Sequence, residues 1–181
     1  MQPTARPHHE ALETAFLQLS FAMKVWHFVR SGGVPRESFD IALTAVDEAG
    51  VRYVMLEGEF ESDDDMILAS ENNVSICFAA AALTLWEAIR EHSDLESSTL
   101  SPSTSEREKI AGLAFAIRCC FAHAIAAPRW KLTPKYRLRY ELPGLSVDLT
   151  SAHDQPFDYS YLGGPDGLRV LRRLAVSAGL V

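Results

Sequence analysis

Apolar side chains recur at helical spacing along much of the chain. The segment from His9 to Arg30 carries two adjacent apolar stripes, formed by Leu12, Phe16, Leu19, Met23 and Trp26 and by Leu17, Phe21, Val25 and Phe28. Only a narrow polar stripe remains, so the pattern predicts a helix at the centre of a bundle. Ser31, Gly32 and Gly33 end this helix.

Two further helices follow. Ser62 and Asp65 have the spacing of a capping box, which predicts a helix from Ser62 to about His92. A polar, serine-rich loop spans residues 93–105, and either Ser103 or Ser105 can cap a third helix. That helix is predicted to run to Ala127, because Pro128 disfavours helical backbone in the residue before it.

The other segments have a different or weaker period. Residues 39–49 fit a short helix or a strand, and Arg52 to Glu61 fits a weak strand or an irregular connecting segment. Residues 135–150 alternate on either side of Pro143-Gly144, which predicts a β-hairpin. Pro165 opens a last helix to about Ala178.

The predicted fold is mainly α, an up-and-down bundle of about four helices with a C-terminal hairpin, in a single domain over residues 1–181 with a flexible tail at 1–8.

Composition narrows the functional classes. The 181 residues have a net charge of −7, which disfavours a general nucleic-acid binder because such proteins need a positive field. The three cysteines are too few and too irregular for a disulfide framework and predict reduced thiols in the cytoplasm. No zinc-ligand spacing occurs, so neither a metal nor another cofactor is predicted.

The chain is not predicted to enter a membrane. The N-terminus lacks the layout of a signal peptide. The most apolar stretch, Ile110 to Ala127, contains Arg118 at its middle, where the charge would cost roughly 3 kcal/mol in a bilayer. This stretch is therefore interpreted as a core helix.

Arg118 and His123 are the strongly polar side chains of that core helix, and they are the best candidates for chemistry. Five residues correspond to about 140° of rotation on an ideal helix, so the two side chains would have to converge at the helix end or at a subunit interface. The segment from Arg118 to His123 resembles the Arg-x4-6-His motif of the HEPN superfamily. In one departure, the position after the arginine, which is often polar in that family, is Cys119.

The resemblance implies a small helical protein that forms a homodimer and cleaves RNA without a metal, as a toxin or defence component with a cognate antitoxin protein. Arg118 would clamp the phosphate, and His123 would be the general acid or base. Because non-catalytic HEPN members are common, the alternative is a helical module for dimerisation or partner binding. In that case Arg118 would pair with an acid such as Glu71 or Glu87.

A basic stretch follows the motif, and we interpret it as a candidate substrate-binding region. Its cations are Arg129, Lys131, Lys135, Arg137 and Arg139. Trp130 and Tyr136 are interleaved with them and could stack on bases. The alternative is a solvated strand face that balances acids elsewhere, such as the seven between residues 57 and 71. Asn72 is a further substrate-binding candidate, and with Arg118 and Trp130 it could instead line a small-ligand pocket.

Overall fold

The computed structural model describes residues 7–55, 57–93, 95–122, 124–125 and 127–181. The helices are α1 (Pro7–Arg30), α2 (Arg36–Phe39), α3 (Asp63–His92), α4 (Glu106–Phe121) and α5 (Gly167–Ser177). The strands are β1 (Leu43–Val46), β2 (Arg52–Met55), β3 (Arg139–Leu142) and β4 (Leu145–Asp148). The predicted fold class, mainly α with a C-terminal hairpin, is confirmed.

The chain forms two compact units, whose boundaries fall within α1 and α3. We call residues 1–19 and 75–181 the large unit and residues 20–74 the small unit. The large unit contains α4, α5 and the C-terminal hairpin, and the small unit contains α2 and a second hairpin.

The core of the large unit is built around α4. Ile110, Leu113 and Ile117 recur on one side of this helix and are completely buried. α4 contacts α5, β3 and a 3-10 turn at Pro134–Tyr136. The predicted cap is Ser105, whose hydroxyl accepts a hydrogen bond from the Glu108 N–H at 3.2 Å.

The C-terminal hairpin has the predicted turn but shorter strands. Leu142 pairs with Leu145 and Arg139 with Asp148, so Pro143 and Gly144 form the two-residue turn. Gly144 has φ 74°, a value that favours glycine. The predicted first strand is wrong from Lys135 to Leu138, because Pro134 starts a 3-10 turn there.

Helix ends also differ from the predictions. α4 ends at Phe121 rather than Ala127, since Phe121 is anchored in the core while Ala122 and Ile125 are exposed. α5 begins at Gly167 rather than Pro165. α1 begins at Pro7, so residues 7 and 8 of the predicted tail are helical, and the remainder of that tail lies outside the described residues.

The small unit contains residues 39–61, for which the sequence left the secondary structure open. β1 and β2 form an antiparallel hairpin, in which Leu43 pairs with Met55 and Val46 with Arg52. The predicted capping box is present, because Asp65 Oδ2 accepts from the Ser62 N–H at 2.9 Å and Ser62 Oγ accepts from the Asp65 N–H at 3.2 Å.

The two apolar stripes of α1 have different environments. Leu12, Phe16 and Leu19 of the first stripe are buried. The second stripe is not, because Leu17 and Phe21 are 68% and 69% exposed. The expectation that both stripes are covered by the bundle is therefore wrong for the second.

One described helix, α3, is long and apolar enough to cross a membrane by length and composition alone. Of its most apolar window, 39% is buried within the protein. The core helices of soluble proteins also meet these criteria.

Candidate functional site

Arg118 lies in the last turn of α4. Its neighbours Ile117 and Phe121 are 0% and 1% exposed, whereas the Arg118 side chain is partly buried. Packing of the helix therefore fixes the point at which the guanidinium leaves the core.

An aromatic cluster anchors this turn of the helix. The ring of Phe121 lies 5.3 Å from that of Phe78 and 4.8 Å from that of Phe157, and Phe78 lies 5.1 Å from Tyr159. These separations suit attractive edge-to-face packing. The sequence pattern did not identify Phe157 and Tyr159, because they belong to a segment without regular periodicity.

The guanidinium of Arg118 has no carboxylate partner among the described residues. Its Nε is buried and makes no hydrogen bond to any of them. Of the two acids predicted as alternative partners, Glu87 instead pairs with Arg90 at 2.5 Å, and Glu71 is exposed in the small unit. A buried charged donor without a partner is costly, so this arginine is suited to receive an anion.

The two thiols beside Arg118 are not activated. Burial raises the pKa of the Cys119 thiol, and the hydrogen bond and charge of Arg118 oppose that shift only in part. Burial also raises the pKa of Cys120, whose thiol is close to the backbone N–H of Lys131. Because the thiolate is the nucleophilic form, neither cysteine is suited to covalent catalysis at neutral pH.

Cations of the basic stretch bind groups within the large unit. Lys131 Nζ lies 2.5 Å from Asp154 Oδ1, and Arg129 Nη1 donates to the Asp154 carbonyl at 2.9 Å. Both side chains are nevertheless exposed and retain other donors. Arg139 pairs with Glu141 at 2.5 Å.

Lys135 has a structural role. Its ammonium group donates to the backbone carbonyls of Ser97, Ser98 and Leu100, at 2.7, 3.2 and 3.1 Å. These bonds tie the serine-rich loop to the 3-10 turn at residues 134–136, and they occupy all three donors of the lysine.

The two aromatic side chains of the basic stretch are buried. Trp130 is 0% exposed and Tyr136 is 2% exposed. Neither ring has a face open to solvent, so the expectation that they stack on bases is corrected. The alternation of aromatic and basic residues reflects an inner face and an outer face instead.

Tyr136 is integrated into the core by its hydroxyl and its ring. The hydroxyl donates to the Ser97 carbonyl at 2.9 Å, and the ring lies 5.1 Å from that of Phe115. Burial, with a smaller contribution from Cys119, raises the pKa of Tyr136 from 10.0 to about 12.

We expect this shift to make stability fall at alkaline pH. The unfolded chain ionises Tyr136 first, so its contribution is complete below pH 10.0 and is lost as the pH rises through about 12. Between about pH 8 and about pH 11 the wild type should lose roughly 1 kcal/mol more than Tyr136→Phe. Urea unfolding followed by circular dichroism at both pH values measures this difference, and equal losses in the two proteins would contradict it.

The remaining predicted site residues are His123 and Asn72. His123 lies outside the described residues, so its distance from Arg118 stays untested. Asn72 is exposed on the part of α3 that belongs to the small unit. Among the described residues, no group of three or more histidine, cysteine, aspartate or glutamate side chains could hold a metal ion.

The small unit contains a cavity that the sequence did not reveal. Its volume is about 720 Å³, and its apolar lining comes from Phe39, Ile41, Leu43, Val54 and Phe60. The acidic residues Asp40 and Glu59 also line it. The sequence signal was the run of apolar residues between positions 39 and 54, which has no helical period.

Comparison of this chain with protein-family models, with curated proteins and with solved structures finds no match. The HEPN resemblance therefore depends on the motif from Arg118 to His123.

Proposed function

We propose that this protein is a HEPN-like, metal-independent RNA endonuclease in which Arg118 binds the scissile phosphate. The observation that carries the proposal is the guanidinium of Arg118, which has no carboxylate partner among the described residues and a buried Nε without a hydrogen bond. An arginine presents paired N–H donors that match two oxygens of a phosphate. Bound phosphate would compensate the unpaired charge.

The proposed reaction needs groups of the RNA, two side chains, and water to carry the proton that His123 does not. The ribose 2′-oxygen attacks the adjacent phosphorus and forms a 2′,3′-cyclic phosphate, while the bond to the 5′-oxygen breaks. His123 accepts the 2′-hydroxyl proton as a base or donates a proton to the leaving oxygen as an acid, since its ordinary pKa lies near neutrality. Arg118 stabilises the charge on the non-bridging oxygens.

The exposed side chains of Arg129 and Lys131 provide further contacts to RNA in this proposal. Each has donors left over from its bonds to Asp154. Their contribution is a general attraction for the backbone and carries no base specificity. Trp130, which is buried, has no part in it.

The proposal is tested with single-stranded RNA in the presence of a chelator. We expect the wild type to cleave, and we expect Arg118→Ala and His123→Ala to lose activity by about 100-fold or more. Arg107→Ala, which removes an exposed arginine from the same helix, is the matched control and should retain activity. Unchanged cleavage by His123→Ala would refute the assignment.

A different observation favours a second function, a non-catalytic module that binds a partner. The small unit has nine exposed large apolar side chains but only four buried hydrophobic ones among its described residues. Four of the exposed ones, Phe39, Ile41, Leu43 and Val54, line one cavity, and contiguous exposed apolar surface marks interaction sites. A wild type that leaves RNA intact while forming a stable complex, as a homodimer or with another protein, would favour this function over the nuclease.

A further inference from the structure

The hairpin of the small unit is exposed along its first strand. Every residue of β1 is exposed, including Leu43 at 44% and Val46 at 65%, and Val54 on β2 is 55% exposed. Within the part of the chain that the structure describes, this sheet consists of two strands. An isolated two-stranded hairpin is marginal in water without packing on an apolar face. The hairpin would therefore gain stability from a partner that covers it.

The cavity beside this hairpin offers anchor sites for such a partner. The ring centroids of Phe39 and Phe60 lie 6.1 Å apart, and both residues line the cavity with Leu43 and Val54. Interfaces derive most of their binding energy from a few apolar anchors in pockets of this kind.

Hydrogen bonds to the backbone hold the cavity in shape. Asp40 accepts bonds from the N–H groups of Glu59 and Phe60 at 3.1 and 3.0 Å, and these bonds lower the pKa of its carboxyl group. Arg36 donates to the carbonyls of Phe60 and Glu61 at 3.1 and 2.6 Å. The segment that forms one wall is thus tied to α2, so the cavity exists before a partner binds.

Charge identifies the kind of partner. The small unit has eleven acidic and four basic residues, a net charge of −7, which equals the charge of the entire chain. The large unit has thirteen of each and is neutral. Six exposed acids occur between residues 57 and 65 with no base among them. A surface of this charge repels nucleic acid and a second copy of itself, and it attracts a cation.

We propose that the small unit is the docking site for a basic segment of another protein, whose apolar side chains enter the cavity lined by Phe39, Leu43, Val54 and Phe60. The inference rests on the second proposed function and names the chemistry of the partner. Lysine or arginine side chains of the segment lie over the acids of residues 57–65, and its apolar side chains pack on the exposed strand β1.

The test uses the full chain and a dye-labelled peptide of alternating leucine and lysine, with fluorescence anisotropy as the readout. Two matched peptides replace all lysines with glutamate or all leucines with serine. We expect each replacement to weaken binding at least tenfold, and we expect added salt to weaken the leucine–lysine complex. Leu43→Lys should weaken that complex at least tenfold, whereas Val176→Lys, which adds the same charge at an exposed position of the large unit, should not.

Three other results of this experiment would overturn the basic partner. Equal binding of the lysine and glutamate peptides would overturn the basic partner while preserving a partner-binding surface. If the wild type self-associates and Leu43→Lys abolishes this, the partner is a second copy of the chain, which would also overturn the basic partner. Binding of none of the three peptides to a wild type that stays monomeric would overturn both this inference and the partner-binding function.

Discussion

Replacing Trp130 with alanine is expected to lower the free energy of unfolding by about 3 to 5 kcal/mol, because it would leave a large cavity in the core. The indole is 0% exposed and contacts the rings of Phe157 and Tyr161 at 5.4 and 5.5 Å. The backbone on either side is also constrained, since the Trp130 N–H donates to Gln155 and its carbonyl accepts from Asp154. Because these hydrogen bonds hold the backbone in place, it cannot move to fill the space that the indole leaves.

Two further variants separate packing from substrate binding. Trp130→Phe keeps most of the ring volume and should cost less than Trp130→Ala. Lys131→Ala removes the exposed neighbour and should change stability by less than about 1 kcal/mol, as surface substitutions usually do. Urea unfolding followed by circular dichroism ranks the three. A Trp130→Ala variant with wild-type stability and weakened RNA binding would restore the stacking role predicted from the sequence.

The helical part of the fold was predictable because its signals are local. The capping box of Ser62 and Asp65 and the cap at Ser105 depend on neighbours three residues away. Apolar stripes at helical spacing identified α1, and long apolar runs behind these caps identified α3 and α4. The end of α4 was predicted six residues too late, because it depends on the anchoring of Phe121 by rings that are distant in sequence.

The sequence identified Arg118 as a candidate but did not predict which side chains would pair with it. Arg118 stands out in sequence because a charge within an apolar helix needs an explanation. Whether it pairs internally depends on the whole set of acids near it in space, which no spacing rule provides. The same limit applies to Lys135, which a sequence pattern groups with phosphate-binding cations but which binds three carbonyls of a loop nearly forty residues earlier.

The location of the negative charge was also not predictable from the net charge of the chain. A net charge of −7 argues against RNA as a substrate if it is spread over the chain. The division into two units places that charge on residues 20–74 and leaves the unit that contains Arg118 neutral. The acidic total is therefore no argument against a phosphate site at Arg118, and it is an argument for a basic partner at the small unit.

Gly167→Ala is expected to lower the free energy of unfolding by about 3 kcal/mol, although alanine is normally the better residue in a helix by about 1 kcal/mol. Gly167 opens α5, and an added Cβ would collide with the carbonyl oxygen of Leu162. Leu162 is 2% exposed and cannot move aside without displacing core contacts. The steric cost of overpacking against backbone thus exceeds the gain in helix propensity.

The matched control for Gly167→Ala is Arg173→Ala, at an exposed position of the same helix. It introduces alanine without a collision and should change stability by less than about 1 kcal/mol. Thermal and urea unfolding of both variants measure the difference. If Gly167→Ala were as stable as the wild type, the start of α5 would have to sit farther from Leu162, and the close approach that defines this corner of the large unit would be refuted.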